Sequence, residues 1–333
     1  MVRDDPSDDA DVRAATDADD DDVLELLHDA LGWVPDDNHV SFFGWKHRQS
    51  PFGRSPAWVG LDADSGAVVA YRTFMRWEYL LDGELVRAVR AVDTATHSSQ
   101  RGRGWFTRLT MQALEDLRGQ GVGFVFNTPN DASRPGYLKM GWQPVGKVPV
   151  AIRPRSPGAA LRTARARTAA DKWSVPTTAG EPAASVLRDA EAVEALLASV
   201  PEPGPGLSTR RSAAYLAWRY GFGPLHYRAV LAGPRVEDGM AVFRLRRRGR
   251  SLEAALCEVL VPGGRVTAVR RLVRRVVRAS GADHALAVAA RALSVGAVPV
   301  PGLGPQLVWR DVCRHEVPEV GGWHLSLGDV ELF

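Results

Sequence analysis

A short basic segment rich in glycine, HSSQRGRG at residues 97–104, stands directly before an amphipathic helical pattern. Its last four residues are Arg101, Gly102, Arg103 and Gly104. A glycine turn that opens a helix leaves backbone N–H groups without intrahelical partners, and the helix dipole adds positive potential at the same place. The arginines add charge and the glycines allow close backbone approach. The segment is therefore suited to binding a pyrophosphate.

Three further side chains could move protons near this turn. Asp93 and His97 belong to the strand end that precedes it, and Tyr137 follows later in the run YLKMGW. A carboxylate can take a proton through water, and histidine titrates near neutral pH. Each residue also has a structural interpretation: Asp93 could pair with an arginine such as Arg90, His97 could cap the strand, and Tyr137 could be a packed aromatic.

Together, the two motifs resemble those of the GNAT N-acetyltransferase family. The family's acetyl-CoA signature, R/Q-x-x-G-x-G/A at the start of its main helix, is matched from Arg101 to Phe106, with Phe106 in place of the final small residue. Its later Y-x-K-x-G-F pattern is matched from Tyr137 to Trp142, with tryptophan in place of phenylalanine. The resemblance covers about residues 10–150 and implies a twisted mixed sheet that splays apart to admit the cofactor.

The resemblance implies acetyl-CoA as the cofactor, used as a co-substrate, and no metal. Pantetheine is then expected on the strand backbone before the turn and pyrophosphate on the amides of the turn, with an asparagine beyond the helix completing the site. The expected cofactor-binding residues are Thr94, Ala95, Thr96, Arg101, Gly102, Arg103, Gly104, Trp105, Phe106 and Asn130.

Direct acyl transfer is the reaction that the resemblance implies. A neutral amine attacks the thioester, a base removes its proton, and Tyr137 protonates the departing thiolate. Many family members carry the base as a glutamate on the fourth strand, where Arg90 stands here and cannot serve. Asp93 and His97 are the available substitutes. The α-carboxylate of Phe333 is a further possibility, since the enhanced-intracellular-survival branch of the family uses its chain end in this way.

Hydrophobic period and turn residues predict the elements that must position these side chains. Asp19 to Asp22 begin a helix, three strand segments follow, and Asp82-Gly83 joins the second and third as a hairpin. Apolar residues at 3.6-residue spacing predict a helix directly after Gly104, and GFVFNT then reads as a buried strand.

The composition divides the chain into unequal parts. Residues 1–10 are predicted to be a flexible N-terminus and 11–152 the acetyl-CoA-binding domain, while 153–171, rich in Ala, Arg and Pro, form a linker. Residues 172–333 repeat the element order of the first half but have PGGRVTAVRR in place of its glycine-arginine turn. Together with the resemblance, this order implies an α/β fold class with mixed sheets: two GNAT-like domains in tandem, the second degenerate and expected to close the acceptor site.

Composition restricts the class and the compartment of the protein. The 333 residues are 45% hydrophobic and 24% charged, as in ordinary soluble globular proteins. The acidic start is unlike a signal peptide, and we find no long apolar run, so a cytoplasmic location without membrane association is expected. Two cysteines without metal-ligand spacing indicate neither a disulfide framework nor a zinc site.

The sequence predicts an acyltransferase that moves an acetyl group to an amine of a small molecule or peptide. An aromatic-rich segment, residues 33–58, could bind an apolar acceptor or could be core. Many arginines between Arg244 and Arg278 could contact nucleic acid, but a solvated helix face is the ordinary role of such a pattern, so no nucleic-acid partner is expected. The alternatives are an aminoacyl-tRNA-dependent peptide transferase and a non-catalytic CoA-binding module. The acceptor and the oligomeric state are left open.

Overall fold

The computed structural model describes residues 12–33, 36–165, 170–288, 297–313 and 316–331. The predicted flexible segment 1–10 and the Phe333 carboxylate lie outside the described residues. The described helices are α1 (Asp20–Leu31), α2 (Asp37–Arg48), α3 (Trp105–Arg118), α4 (Arg134–Lys139), α5 (Pro157–Arg165), α6 (Ala183–Val186), α7 (Ala190–Ser199), α8 (Ala213–Gly221), α9 (Val266–Ser280) and α10 (Leu327–Val330).

The described strands fall into two mixed sheets. They are β1 (Val12–Ala14), β2 (Ala57–Leu61), β3 (Val68–Leu81), β4 (Glu84–Thr96), β5 (Phe124–Asn127), β6 (Gln143–Lys147), β7 (Val150–Pro154), β8 (Glu181–Pro182), β9 (Leu207–Thr209), β10 (Arg228–Leu231), β11 (Met240–Arg248), β12 (Ser251–Leu260), β13 (His284–Val288), β14 (Val298–Pro299), β15 (Gln306–Asp311) and β16 (Trp323–His324). The first sheet runs β1-β2-β3-β4-β5-β15-β6, with β9 beside β3 and β16 beside β9. The second runs β14-β7-β13-β12-β11-β10-β8. Two mixed sheets flanked by helices confirm the expected fold class.

Local sequence explains the elements nearest the glycine turn. Asp82 and Gly83 have φ of 51° and 89°, and they close β3 and β4 as the predicted two-residue hairpin. The predicted helix after Gly104 is α3, and most of its apolar stripe is buried against the sheet. These elements are specified by short-range patterns, which is why the sequence predicts them.

Helix α2 was not predicted from the sequence. Its N-cap Asp36 accepts a hydrogen bond from the backbone N–H of His39, at 2.8 Å. Buried side chains lie on more than one face of this helix, so no clean 3.6-residue apolar period is visible. The aromatic side chains considered as an acceptor surface are all buried and belong to the hydrophobic core: Trp33, Phe42, Phe43, Trp45 and Trp58.

The two sheets exchange strands. Strand β7 follows β6 in the chain but lies in the second sheet between β13 and β14. Strand β15, from the C-terminal half, lies in the first sheet between β5 and β6. The exchange crosses the predicted boundary at residue 152, and each half of the chain supplies a strand that the other half's sheet needs.

Side chains also lock the two halves together. The indole N–H of Trp45 donates to the carbonyl of Trp218 at 2.7 Å, and the indole N–H of Trp218 donates to the carbonyl of Trp45 at 2.8 Å. The two rings stack, with centroids 5.4 Å apart. Residues 326–331 form a buried C-terminal segment between the halves, where Arg90 and Arg219 donate to its backbone carbonyls. The halves therefore share one continuous core.

Leu307→Ala tests this coupling. Leu307 is in β15 and only 1% exposed, so truncation should lower the free energy of unfolding by about 2–5 kcal/mol. Strand β15 completes the first sheet, but the chain segment that carries it belongs to the second half. The whole protein should therefore still unfold in one transition. Chemical denaturation followed by circular dichroism and by tryptophan fluorescence measures both quantities.

The matched control is Leu303→Ala, in the same segment but with Leu303 48% exposed. It should change the free energy of unfolding by no more than about 0.5 kcal/mol. Two separate transitions in either variant, or equal losses in both, would contradict the coupling of the sheets through β15.

Candidate active site

A cavity opens where two parallel strands of the first sheet stop pairing. Strands β4 and β5 are paired over Ala88–Arg90 and Phe124–Phe126, and then they separate. The space between them is a cavity of about 540 Å³, lined by β4 from Arg90 to Thr96, by the segment after β5, and by α4. Beyond Arg90, no strand among the described residues pairs with the edge of β4 that faces the cavity. An unpaired strand edge can bind an extended ligand through main-chain hydrogen bonds.

A β-bulge marks the same place on β4. Arg72 of β3 pairs with Thr94 while Thr73 pairs with Val92, so Asp93 is the extra residue. A bulge leaves its extra residue out of the ladder and bends the strand. The bend directs β4 away from β5, and it therefore contributes to the opening of the cavity.

The glycine turn lies between the end of β4 and α3. Gly102 and Gly104 have φ of 79° and 81°, a conformation that favours glycine. No heavy atom lies within 4 Å of the place where a Cβ would be added at either residue. Helix α3 carries no acidic residue in its first turn, and Arg101 and Arg103 are exposed. The turn is open and positively charged, and it stands at a helix start, where backbone N–H groups lack intrahelical partners. These properties suit the binding of an anion.

The structure divides the expected cofactor residues by position. Thr94, Thr96, Phe106 and Asn130 line the cavity. Ala95 is buried in the core, so only its backbone is available to a ligand. The side-chain oxygen of Asn130 is already occupied, since it accepts from the backbone N–H of Ser133 at 2.9 Å.

Trp105 is a core residue. Its ring packs so closely on Gly60 that a Cβ added there would lie 2.3 Å from the ring. Its side chain therefore fixes the start of α3 against β2 and leaves only its amide for a ligand. The neighbouring Phe106 contacts Tyr137 edge to face, with ring centroids 5.2 Å apart, and forms part of the cavity wall.

Tyr137 lines the cavity from α4. Its ring is buried between Phe106 and Trp142, and its hydroxyl oxygen accepts a hydrogen bond from Nη2 of Arg72 at 2.8 Å. The packing holds the ring in one orientation, and the hydroxyl is the polar part of the side chain that can face a ligand. The tyrosine is thus both packed and placed in the cavity.

Asp93 also lines the cavity, but its carboxylate is fully engaged. It accepts two hydrogen bonds from Nζ of Lys46, at 2.8 and 2.9 Å, and lies 2.8 Å from Nε2 of His47. Burial raises the pKa of Asp93, but the Lys46 charge and the His47 hydrogen bond outweigh it and hold the pKa well below its usual range. Burial lowers the pKa of His47 and that of Lys46, and Lys46, which donates to both carboxylate oxygens, is the main partner of Asp93. The predicted pairing with Arg90 does not occur; Arg90 donates to the buried C-terminal segment.

His97 lies outside the residues that line the cavity. Its side chain is exposed, and its Nδ1 lies 2.7 Å from the hydroxyl of Ser99. The same side chain caps the short 3₁₀ helix Ser98–Gln100 by accepting from the Ser99 backbone. The structural role considered for His97 was a cap of the strand end, and the side chain instead caps the short helix that follows the strand.

Sequence reasoning missed Lys46, His47 and Arg72. The first two lie on α2, which was not predicted, so nothing pointed to their meeting with Asp93. Arg72 had a visible signal: it is a single charge among apolar residues in the interior of β3, in the run VVAYRTF. A charged side chain is seldom fully buried without a specific partner, so such a residue marks a polar site inside the sheet.

Among the residues that the structure describes, no group of three or more His, Cys, Asp or Glu side chains is arranged to hold a metal ion. Within the same residues, no helix has both the length and the apolar character needed to span a membrane.

Comparison with known proteins finds a family match for the first part of the chain. Residues 11–145 match the model of an acetyltransferase (GNAT) domain. No curated protein matches the chain. One similar solved structure is a probable N-acyltransferase from Enterococcus faecalis V583, with 13% sequence identity, a TM-score of 0.63, and coverage of 91% of this chain and 72% of the other. Another is a GCN5-related N-acetyltransferase from Kribbella flavida, with 19% identity, a TM-score of 0.60, and coverage of 91% of this chain and 72% of the other. Eis1 from Mycobacterium abscessus is also similar, with 13% identity, a TM-score of 0.55, and coverage of 91% of this chain and 73% of the other. At these identities the structures show a shared fold over both halves.

Asp93→Asn tests the ion pair at the cavity wall. The variant should lower the free energy of unfolding at pH 7 by about 3–5 kcal/mol, because it removes the carboxylate that offsets the buried charge of Lys46. A carboxyl whose folded-state pKa is depressed stabilises the fold above its unfolded-state pKa, about 3.9 for aspartate, and loses that contribution as the pH falls toward the folded-state pKa. The difference from wild type should therefore shrink below about pH 4, as urea denaturation at pH 7 and pH 3 can measure.

Asp131→Asn is the control, since the Asp131 side chain is 96% exposed near the same cavity. It should leave the free energy of unfolding unchanged to within about 0.5 kcal/mol at either pH. An Asp93→Asn variant as stable as this control at pH 7 would show that the pair with Lys46 contributes nothing.

Proposed function

We propose that the protein is an N-acetyltransferase that moves the acetyl group of acetyl-CoA to an amine of a small molecule or peptide, since residues 11–145 match the model of an acetyltransferase (GNAT) domain. The observation that carries this proposal is the cavity between β4 and β5, which Tyr137 lines together with Thr96 and Phe106, the lining residues on either side of the open glycine turn. A strand edge, an anion-binding turn and a proton donor are the groups that a thioester of a long phosphorylated carrier requires.

The residues present fit acetyl-CoA as a co-substrate. The free backbone edge of Thr94, Ala95 and Thr96 would pair with its amide-containing arm. The amides of residues 101–106 would hold its pyrophosphate, and Arg101 and Arg103 would add charge. Asn130 would contribute through the cavity wall, because its side-chain oxygen already accepts from Ser133.

In the proposed reaction the amine nitrogen forms a bond to the thioester carbonyl carbon, and the carbon–sulfur bond breaks with its electron pair going to sulfur. Tyr137 gives its hydroxyl proton to that sulfur, so the carrier leaves as a thiol. The amine nitrogen loses one proton to solvent, which replaces the proton that Tyr137 has given to sulfur. The products are an amide and the free thiol of CoA.

Asp93 is the better placed of the two proposed bases. It lines the cavity, whereas His97 does not. Because its pKa is held well below the usual range, it is a weak base, and we assign it the transient transfer of the amine proton through water to solvent. The chain end at Phe333 was the third candidate and lies outside the described residues.

The second half of the chain is proposed to close the acceptor site. Arg90, in the cavity wall, donates to the carbonyl of Val330 at 2.7 Å, so the buried C-terminal segment of the second half contacts a residue of that wall. We also propose a cytoplasmic location. The support is that Cys257 and Cys313 are both free thiols, as expected in a reducing compartment.

Cofactor binding is tested by Gly104→Asp. A carboxylate added at this open position would face the pyrophosphate, so the rise in melting temperature that acetyl-CoA gives to the wild type should disappear. Differential scanning fluorimetry over a series of acetyl-CoA concentrations measures the shift. Gly104→Asn is the matched control, because it brings the same shape and the same backbone strain without charge. It should retain part of the shift, and equal loss in both variants would show that strain, not charge, was responsible.

Catalysis is tested by the release of free thiol from acetyl-CoA in the presence of aminoglycosides, amino sugars, polyamines and peptides. Wild type should release thiol with at least one of these amines.

Tyr137→Phe keeps the ring packing but removes the hydroxyl, so its turnover number should fall about 10²–10⁴-fold while the dissociation constant of acetyl-CoA changes little. Wild-type binding of acetyl-CoA without thiol release for any amine would instead indicate the non-catalytic CoA-binding module.

A further inference from the structure

Arg72 is a buried cation behind the wall of the cavity. Its side chain is 0% exposed, and it forms no ion pair with a carboxylate among the residues that the structure describes. Its Nη1 donates to the carbonyl of Val92 at 3.2 Å and to the hydroxyl of Thr94, and its Nη2 donates to the Tyr137 hydroxyl at 2.8 Å. Its Nε has no hydrogen-bond partner. The guanidinium is therefore only partly satisfied.

A fully buried guanidinium without a counter-ion is costly, because the charge has left water and no carboxylate offsets the loss of hydration. The fully buried Arg244 does have such a partner, with Nη2 2.8 Å from the Glu331 carboxylate. The nearest carboxylate along the chain from the residues that Arg72 contacts is Asp93, and Lys46 and His47 occupy it. The packing of the sheet therefore does not explain why the free-energy cost of burying the Arg72 charge is tolerated.

Aromatic rings fix the position of this charge. The guanidinium carbon lies 4.5 Å from the ring centre of Phe74, 5.4 Å from that of Phe106 and 5.4 Å from that of Tyr137. Such contacts favour a cation over a ring face, and they exclude water that would screen the charge. The charge is thus held rigidly beside the Tyr137 oxygen.

The hydrogen bond between the two residues has only one possible direction. A guanidinium has five donors and no acceptor, so the Tyr137 oxygen must accept from Arg72. The hydroxyl hydrogen of Tyr137 therefore points away from Arg72. In the described part of the chain this hydrogen has no other acceptor, and the side chain lines the cavity. The arrangement leaves the tyrosine proton available to a group in the cavity.

We propose that Arg72 is a positioning residue for Tyr137: it directs the hydroxyl proton into the cavity and stabilises the negative charge that the oxygen carries once that proton has gone. This inference rests on the proposed function. In the step concerned, the O–H bond of Tyr137 breaks, an S–H bond forms on the departing thiolate, and the electron pair stays on the phenolic oxygen beside the guanidinium. The oxygen regains a proton from solvent before the next cycle.

A structural role for Arg72 makes a different prediction. If the guanidinium only braced the bulge by its bonds to Val92 and Thr94, its loss would change stability and cofactor binding, and any effect on turnover would add to that of Tyr137→Phe. If it acts through the tyrosine, the effect on turnover requires the hydroxyl. A double-mutant cycle separates these cases.

The experiment measures thiol release from acetyl-CoA with the best amine of the panel, for wild type, Arg72→Met, Tyr137→Phe and the double variant. Arg72→Met should lower the turnover number about 10- to 100-fold, as expected for a lost hydrogen bond to a charged group, with little change in the KM for acetyl-CoA. Adding Arg72→Met to Tyr137→Phe should change turnover by no more than about twofold. Arg72→Lys, which keeps the charge, should recover part of the activity.

Arg76→Met is the control, because Arg76 is on the same strand and donates instead to the carbonyl of Arg54. It should retain the turnover of the wild type. Independent, multiplying losses in the double variant, or full activity of Arg72→Met, would overturn the proposal. If Arg72→Met does not fold, the same cycle with Arg72→Lys decides. A wild type without thiol release for any amine would refute the proposed function itself, an outcome that differs from both of the others.

Discussion

The separation of β4 from β5 after Arg90 is the constraint on which the rest of the site depends. Backbone N–H and C=O groups in a protein interior need partners, and two parallel strands that part inside a sheet leave a row of such groups open. The bulge at Asp93 bends β4 at this point. Because the strand ends in the glycine turn, the open backbone edge and the open helix start follow each other along one wall. A ligand that is extended at one end and anionic at the other fits this sequence of groups.

Charge is distributed unequally around that opening. Asp93 is balanced by Lys46 and is hydrogen-bonded to His47, so it contributes a fixed and fully occupied carboxylate. Arg72 has no such partner in the described chain and meets only neutral acceptors. The cavity is therefore bordered by one satisfied ion pair and one uncompensated cation. This asymmetry favours negative charge that develops during a reaction over negative charge already present in the resting protein.

The sequence predicts most of what depends on neighbours along the chain. The β3–β4 hairpin follows from Asp82-Gly83, and α3 follows from its apolar period. It does not predict the partners of Asp93, because Lys46 and His47 belong to a helix whose buried residues surround it and mask its period. The sequence also does not predict that β7 lies in the second sheet and β15 in the first. An apolar strand pattern specifies burial but not the sheet in which the strand is buried.

The exchange of β7 and β15 has a consequence for how the chain acquires its structure during synthesis. Strands β5 and β6 leave the ribosome long before β15, which must lie between them. Until β15 is made, both strands expose unpaired edges that can associate with other chains. Contacts between residues so far apart in sequence also close slowly, because the chain entropy of a long loop is lost before the contacts form. The first sheet is completed among the last events of folding, so incompletely translated chains carry an open, association-prone sheet.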